Sequence, residues 1–198
     1  MIDPNDITGL VLAGGRGSRM GNIDKGLVLL QGEPMIRRVI ERLASQVDEI
    51  LINANRNVEA YEAFGHRVIR DRIEGFAGPL AGLQAGLEHA EHPLVVTVPC
   101  DSPFLPLDLV ARLSRALREG EADLAVARTF DQPHPVFALV RRSVLSHLTR
   151  FLEQGGRKID AWYASLNAVE VGFDDEADAF RNINTGDELK EADTAAER

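Results

Sequence analysis

Apolar residues along the chain fall into short runs that alternate between strand-like and helix-like spacing. Compact apolar runs predict strands at residues 7–12, 49–53, 67–69, 94–98, 124–127, 136–140 and 169–173. Helical spacing predicts helices at residues 34–43, 58–64, 79–89, 107–117 and 143–152, with Ser143 capping the last of these and Thr185 capping a final helix. Strands alternating with helices predict an α/β fold with a mostly parallel sheet and helices on both faces.

The residues that follow the predicted strands carry most of the polar chemistry. The first strand leads into a glycine-rich segment at residues 14–17, the second ends at Asn53, the third leads to Asp71 and the fourth to Asp101. In parallel α/β sheets, ligands bind at the carboxyl ends of the strands. We therefore expect glycines, an amide and two carboxylates to converge at one edge of the sheet.

The glycine segment is typical of a loop that approaches a phosphate. Its glycines allow close approach and point backbone N–H groups at an anion; they are Gly14, Gly15, Gly17 and Gly21. It is not a P-loop, because the Gly-Lys-Ser/Thr ending is absent, and Met20 replaces the third glycine of the dinucleotide fingerprint. A plain tight turn is the alternative.

Three cations, Arg16, Arg19 and Lys25, accompany these glycines. Cations beside glycine-rich backbone suit a triphosphate, whose negative charge must be neutralised before a nucleophile can approach. A solvated basic face is the alternative, and for Arg16 it is equally good.

Asp101 follows a buried strand, where a carboxylate is well placed to hold Mg²⁺ together with phosphate oxygens. Its alternative role is to cap the helix that follows Pro103. Asp71 is a second candidate ligand, although it has Arg70 and Arg72 as neighbours and an ion pair would also explain it.

Composition narrows the setting. The chain has 198 residues, a net charge of −9 and one cysteine. The acidic balance argues against bulk binding to nucleic acid or anionic lipid. No apolar run is long enough to span a membrane, and a lone cysteine cannot form an internal disulfide, so we expect a cytoplasmic protein. We interpret Cys100 as a small buried hydrophobe.

Several segments together resemble a known family. The pattern LAGGRGSRMG-x-x-DKG resembles the signature of nucleotidyltransferases that use a nucleoside triphosphate. The chain is similar over nearly its whole length to molybdenum cofactor guanylyltransferases, and the segments that carry this similarity are INANR (residues 52–56), GPLAGL (78–83), PCDSPFLP (99–106), HPVFAL (134–139) and NINTGDEL (182–189). The resemblance implies a single Rossmann-like nucleotidyltransferase domain at residues 1–190, with a polar tail at residues 191–198.

The resemblance also implies a reaction. The terminal phosphate of molybdenum-bound molybdopterin would attack the α-phosphate of GTP, giving the guanine dinucleotide cofactor and pyrophosphate. Mg²⁺ would be the cofactor, held by Asp101, and apo-molybdoenzymes or their chaperones are candidate partners. No nucleic acid or membrane partner is expected.

Residue roles follow from the same resemblance. The nucleotide would contact Leu12, Ala13, Gly14, Gly15, Lys25, Asn53, Asp71 and Asp101. The catalytic residues would be Arg19, Lys25 and Asp101, and the acceptor would contact Arg19, Asn182 and Asn184. The basic loop at residues 155–158, beside Trp162, is a further hypothetical acceptor site.

Two alternatives stay open. A related transferase could use another base or acceptor, as in the cytidylyl branch of the same pathway or in sugar-phosphate enzymes. A non-catalytic nucleotide-binding module that delivers cofactor is the second alternative, although both Lys25 and Asp101 are present.

Overall fold

The computed structural model describes residues 6–14, 24–73, 78–183 and 185–195. Within these ranges the strands are β1 Ile7–Leu12, β2 Leu29–Leu30, β3 Glu33–Pro34, β4 Glu49–Asn53, β5 Arg67–Ile69, β6 Leu94–Pro99, β7 Leu124–Thr129, β8 Gln132–Arg141 and β9 Ala168–Gly172. The helices are α1 Met35–Ala44, α2 Val58–Glu62, α3 Pro79–His89, α4 Leu109–Glu119, α5 Leu145–Glu153, α6 Ile159–Tyr163 and α7 Gly186–Ala195. Short 3₁₀ helices occupy Lys25–Leu27, Arg142–Val144 and Asp174–Phe180.

Seven of the described strands form one sheet in the order β5-β4-β1-β6-β8-β7-β9. Its pairs are parallel except those of β8, which runs antiparallel to both β6 and β7. The short strands β2 and β3 form a separate antiparallel hairpin. The predicted mostly parallel sheet is thereby confirmed.

Alternating residues of the central strands supply two separate hydrophobic cores, one on each face of the sheet. Ile7 and Val11 of β1 belong to the core that packs against α1 and α4, whereas Leu10 belongs to the core that packs against α3 and α5. A period of two along a strand gives this division, because successive side chains point to opposite faces. Helices therefore cover both faces, as predicted.

Most element boundaries agree with the sequence predictions, and the disagreements have local causes. The prediction that Ser143 caps a helix was wrong: residues 142–144 form a 3₁₀ turn, and α5 begins at Leu145 without a side-chain cap. The prediction for Thr185 is confirmed, since its hydroxyl accepts a hydrogen bond from the Glu188 amide at 3.2 Å while the Glu188 carboxylate accepts one from the Thr185 amide at 3.0 Å. This reciprocal pair is a capping box.

Five described elements had no sequence prediction: strands β2 and β3, the 3₁₀ helices at Lys25–Leu27 and Asp174–Phe180, and α6. Each is too short to show a period of its own. Helix α7 continues to Ala195, five residues beyond the boundary predicted for the domain. No helix in the described part of the chain has the length and apolar character that crossing a membrane requires.

Candidate functional site

The carboxyl ends of the central strands lie side by side. Leu12 at the end of β1 is in register with Asn53 of β4 and with Pro99 of β6. The backbone continues this pairing past the strands, because the Ala13 amide donates to the Asn53 carbonyl at 2.8 Å and the Cys100 amide donates to the Leu12 carbonyl at 3.2 Å. The predicted convergence at one edge is therefore found for the described residues.

Two asparagines grip Asp71 at this edge. The Asn53 side chain donates to Oδ1 of Asp71 and the Asn55 side chain donates to Oδ2, each at 2.8 Å. The Asp71 amide returns a hydrogen bond to Oδ1 of Asn55 at 2.9 Å. Asp71 is thus not paired with its neighbour Arg72, whose guanidinium lies 3.7 Å from Glu88. The Asp71 carboxylate, just after the end of β5, is therefore oriented by two side-chain amides.

Helix α3 packs so closely against Asn53 that position 82, in its first turn, has no room for a side chain. A Cβ atom on Gly82 would lie 2.4 Å from Oδ1 of Asn53 and 2.7 Å from Cδ2 of Leu12. A Cβ atom on Gly14 would lie 3.3 Å from the same Asn53 oxygen. Close packing to native density fixes the Asn53 amide in one orientation between strand and helix.

Lys25 and Asp101 form an ion pair on the other side of β1. The Lys25 ammonium lies 3.0 Å from Oδ2 of Asp101, and the two side chains are 24% and 10% exposed. Screening by water is reduced for a pair this far buried, although both groups still face the edge where a ligand would bind. The pair joins the 3₁₀ turn after the glycine segment to the end of β6.

The C-terminal segment closes over Asp101. The Ile183 amide donates to the Asp101 carbonyl at 2.9 Å, and the Ser102 hydroxyl donates to Oδ1 of Asn182 at 2.5 Å. Ile183 itself packs with Leu30 and Met35 in a small third core. These contacts bring predicted acceptor residue Asn182 next to the predicted metal ligand. Asp101 does not cap the following helix, whose N-cap residue is Asp108.

Cys100 is buried, and its surroundings favour the neutral thiol over the thiolate. Burial raises the pKa of its thiol well above the ordinary value, and the nearby carboxylates of Asp101 and Asp24 raise it further, while Lys25 lowers it in part. The neutral thiol packs in the first core. Its sequence interpretation as a small hydrophobe agrees with this environment.

A cavity of about 570 Å³ adjoins the Asp101 region. It is lined by the β7–β8 hairpin, by the end of the 3₁₀ helix Asp174–Phe180 with the two residues that follow it, and by Pro99. The His134 ring stacks on the Phe180 ring with centroids 4.8 Å apart, and its Nε2 lies 2.7 Å from the Thr129 hydroxyl. The volume of the cavity lies in the range typical of small-molecule sites, about 300–1,000 Å³.

The β8 strand is irregular beside this cavity. Val126 pairs with Ala138, whereas the next residue, Ala127, pairs with His134, so residues 135–137 bulge from the β7–β8 ladder. Two hydroxyls satisfy the displaced carbonyls: Tyr163 donates to Pro135 and Thr97 donates to Val136, both at 2.7 Å. Such bulges re-aim side chains, and the bulged residues 135–137 line the cavity.

Some predicted site residues cannot be placed. Gly15, Arg16, Gly17, Arg19, Gly21 and Asn184 lie outside the described residues. The hypothetical acceptor loop at residues 155–158 is described, and there the Arg157 guanidinium donates to the carbonyls of Leu152 and Gly156 at 2.8 and 2.6 Å. Those bonds close the end of α5, which is a structural role.

Sequence reasoning missed three residues that the structure places at the site: Asn55, Asp24 and Ser102. Asn55 holds Asp71, Asp24 precedes Lys25 and is itself bound by α2, and Ser102 reaches Asn182. Asn55 and Asp24 stand within the segments INANR and DKG, so the motifs carried the signal although no role followed from spacing alone.

The donor set suits a metal ion only together with a ligand. Across the ranges that the structure describes, no group of three or more His, Cys, Asp or Glu side chains is arranged to hold a metal ion. The Asp101 carboxylate lies 3.0 Å from the Lys25 ammonium. Mg²⁺ is commonly held by one or two carboxylates plus substrate phosphates, so this arrangement fits an ion that arrives with a nucleotide.

The fold and the site define an α/β protein with a mostly parallel sheet, at whose carboxyl edge Asn53, Asp71, Lys25 and Asp101 meet. The chain belongs to the family of the MobA-like NTP transferase domain, whose model matches residues 9–169. It is 54% identical to the molybdenum cofactor guanylyltransferase of Ralstonia nicotianae over 96% of this chain and 98% of that protein, and 55% identical to that of Cupriavidus metallidurans over 96% and 95%.

A solved structure of a related protein has the same fold as this chain. The molybdopterin-guanine dinucleotide biosynthesis protein A of Archaeoglobus fulgidus superposes with a TM-score of 0.80 at 29% identity, covering 96% of this chain and 98% of its own.

Proposed function

We propose that this chain transfers GMP from GTP to the terminal phosphate of molybdenum-bound molybdopterin, forming the guanine dinucleotide cofactor and pyrophosphate. The name shared by relatives at 54–55% identity over nearly the full length supports this activity. The observation that carries the proposal for the site is the Lys25–Asp101 pair, which lies across the end of β1 from the Asn53–Asp71 cluster.

The nucleotide occupies the carboxyl edge of the sheet in this proposal. The base and ribose lie against Leu12, Ala13, Gly14 and Asn53, with Gly15 and Asp71 close by. The Cβ positions of Gly14 and Gly82 are crowded by Asn53, so the floor beneath the ligand is backbone and a fixed amide. A rigid floor favours a specific base, because its hydrogen-bonding groups are already oriented before binding.

Lys25 and Asp101 hold the triphosphate end. The Lys25 ammonium would bind phosphate oxygens, and Asp101 is the residue that would hold Mg²⁺. The bound ion supplies positive charge that stabilises the pyrophosphate leaving group. The Lys25 ammonium and the Asp101 carboxylate also pair with each other, so each charge has a partner in this partly buried position.

The reaction requires positioning more than acid–base chemistry. A phosphate oxygen of the acceptor forms a bond to the α-phosphorus of GTP, and the bond from that phosphorus to the bridging oxygen of the β-phosphate breaks, releasing pyrophosphate. The attacking phosphate is already ionised near neutral pH, so no side chain needs to remove a proton. Catalysis then consists of aligning two anions and neutralising their charge.

The acceptor occupies the 570 Å³ cavity next to Asp101. Its aromatic wall, which includes the stacked rings of His134 and Phe180, suits a fused heterocycle. Phe130, at the tip of the β7–β8 hairpin, is 63% exposed and also lines this cavity. Asn182 lines this cavity and accepts a hydrogen bond from Ser102, the residue that follows Asp101, so we assign the acceptor phosphate to this side of the cavity. We assign Arg19 and Asn184 to the same step.

Calorimetric titration of GTP, CTP and ATP in the presence of Mg²⁺ tests the nucleotide assignment. We expect clear preference for GTP, followed by formation of the guanine dinucleotide when molybdenum-bound molybdopterin is added. Preference for CTP would move the protein to the cytidylyl branch. Binding of GTP without any turnover in the presence of acceptor would favour a delivery module.

A further inference from the structure

The turn that carries Lys25 is attached to helix α2 through Asp24. One carboxylate oxygen of Asp24 accepts a hydrogen bond from the Tyr61 hydroxyl, and the other accepts one from the Asn57 side chain at 3.1 Å. The Asp24 carbonyl also accepts the Leu27 amide at 3.0 Å, which closes the 3₁₀ turn. Asp24, the residue before Lys25, is therefore held both by its side chain and by its backbone carbonyl.

Tyr61 also touches the residue that follows Lys25. A Cβ atom on Gly26 would lie 2.8 Å from the Tyr61 hydroxyl oxygen and 3.2 Å from Sγ of Cys100. Tyr61 is completely buried, and its ring packs in the first core beside Phe64 with centroids 6.5 Å apart. The Tyr61 side chain thus contacts Asp24 and Gly26, the residues on either side of Lys25. It fixes their positions relative to the first hydrophobic core.

Asn57 completes the anchor from an unusual backbone position. Its φ of 50° places it in the left-handed region, immediately before α2, and asparagine tolerates that region better than most residues. The side chain from this position reaches Asp24 of the turn. The hydrogen bonds from Tyr61 and Asn57 both end on a charged acceptor, and such bonds are stronger than those between neutral groups.

We propose that Tyr61 is a positioning residue that, with Asn57, fixes Asp24 and thereby holds the Lys25 ammonium at Asp101, where the triphosphate binds. The inference rests on the proposed function for its consequence in GTP binding, but the mechanical link between Tyr61 and Lys25 does not depend on it. A lysine has a flexible four-carbon stem, so fixing its backbone reduces the freedom that it loses on binding phosphate.

The test is a double-mutant cycle with Tyr61→Phe and Lys25→Ala. Tyr61→Phe keeps the buried ring and removes only the hydroxyl. We expect GTP affinity to fall roughly tenfold in the otherwise native protein, as for a lost hydrogen bond to a charged group, and to show no further fall when Tyr61→Phe is added to Lys25→Ala. An equal fall in both backgrounds, or no fall in the native background, would overturn the positioning role.

Tyr163→Phe is the matched control. Tyr163 is another buried tyrosine whose hydroxyl makes one hydrogen bond, to the Pro135 carbonyl at 2.7 Å, and it belongs to the core on the opposite face of the sheet. We expect a comparable loss of thermal stability with unchanged GTP affinity. If Tyr163→Phe reduced GTP affinity as strongly as Tyr61→Phe, general loosening of the fold would replace positioning as the explanation.

The same cycle followed by urea unfolding without nucleotide separates this inference from the proposed function. Coupling between Tyr61 and Lys25 predicts that Lys25→Ala destabilises the Tyr61→Phe protein less than the native one. Additive unfolding free energies would overturn the link itself. Coupled unfolding free energies in a protein that binds no GTP would refute the proposed function and leave the link in place.

Discussion

The ammonium of Lys25 lies 3.0 Å from the carboxylate of Asp101, although 76 positions separate the two residues along the chain. Lys25 comes from the turn after the glycine segment and Asp101 from the end of β6. The two strands that precede these residues are direct neighbours in the sheet. A parallel pairing therefore places a cation and an anion from distant segments at the carboxyl edge of the sheet.

Replacing Asp101 should remove most of the activity. We expect Asp101→Ala to lower turnover about a hundredfold or more, the scale seen when a main electrostatic stabiliser is lost. Asp48→Ala is the control, because Asp48 precedes β4 at the opposite edge of the sheet and its carboxylate lies 3.3 Å from Nε2 of His92. Steady-state rates of dinucleotide formation measure both. Near-normal turnover of Asp101→Ala would refute its role.

Adding one methyl group to Gly82 should disturb nucleotide binding. Because its Cβ would lie 2.4 Å from Asn53, Gly82→Ala should displace that amide, lower stability by about 1–3 kcal/mol and weaken GTP affinity. Gly86→Ala overpacks the same helix against Leu10, at 2.3 Å, and should lower stability while GTP affinity stays unchanged. Urea unfolding and calorimetry distinguish the two. Equal losses of GTP affinity would contradict a local role for Asn53.

Truncating Phe130 should affect the acceptor and not the nucleotide. The Phe130 ring is largely exposed at the rim of the cavity, so Phe130→Ala removes stacking surface without opening the core. We expect the KM for molybdopterin to rise about tenfold, on the scale of one stacked aromatic ring, with unchanged GTP affinity. Leu107→Ala, at an exposed residue that does not line the cavity, should change neither. A higher GTP dissociation constant for Phe130→Ala would contradict the assignment of this cavity to the acceptor.

Stability should decrease as the pH falls from 7.5 to 5. Burial lowers the pKa of His134 and that of His66 below their ordinary 6.5. The folded protein therefore binds fewer protons than the unfolded chain, and this contribution to stability is present above pH 6.5 and is lost as the pH falls through the lowered values. Urea unfolding at several pH values should show a smaller decrease for His134→Gln or His66→Gln. If the variant with both substitutions kept the full pH dependence of stability, titratable groups other than His134 and His66 would be its cause.

The Cys100 thiol should be unreactive in the folded protein. It is 7% exposed, and burial raises its pKa, so both access and the thiolate fraction are low at neutral pH. We expect an aromatic disulfide reagent to label Cys100 at the rate of unfolding, with immediate labelling in denaturant. Labelling of the native protein as fast as a free thiol would show that this region opens without global unfolding.

The periodicity of the sequence determined the class of fold. Strands β1, β4 and β5 and helix α3 have the predicted boundaries, because each combines a clear apolar pattern with a proline or polar residue at its ends. The rule that ligands bind at the carboxyl ends of parallel strands is then enough to assign Asn53, Asp71 and Asp101 to one edge of the sheet. Sequence patterns suffice here because they depend on local spacing and on one general property of parallel sheets.

Contacts between distant segments were decided only by the tertiary structure. No spacing rule pairs Asp24 with Tyr61, Asn55 with Asp71 or Ser102 with Asn182, since each pair depends on how helices and loops pack against the sheet. The sequence also left the role of Asp101 open, because a carboxylate before a helix can be a cap or a ligand. The structure excludes the cap role, since Asp108 is the N-cap residue of α4 and the Asp101 carboxylate lies 3.0 Å from Lys25. Sequence specifies which groups reach the edge of the sheet, and packing specifies which of them meet.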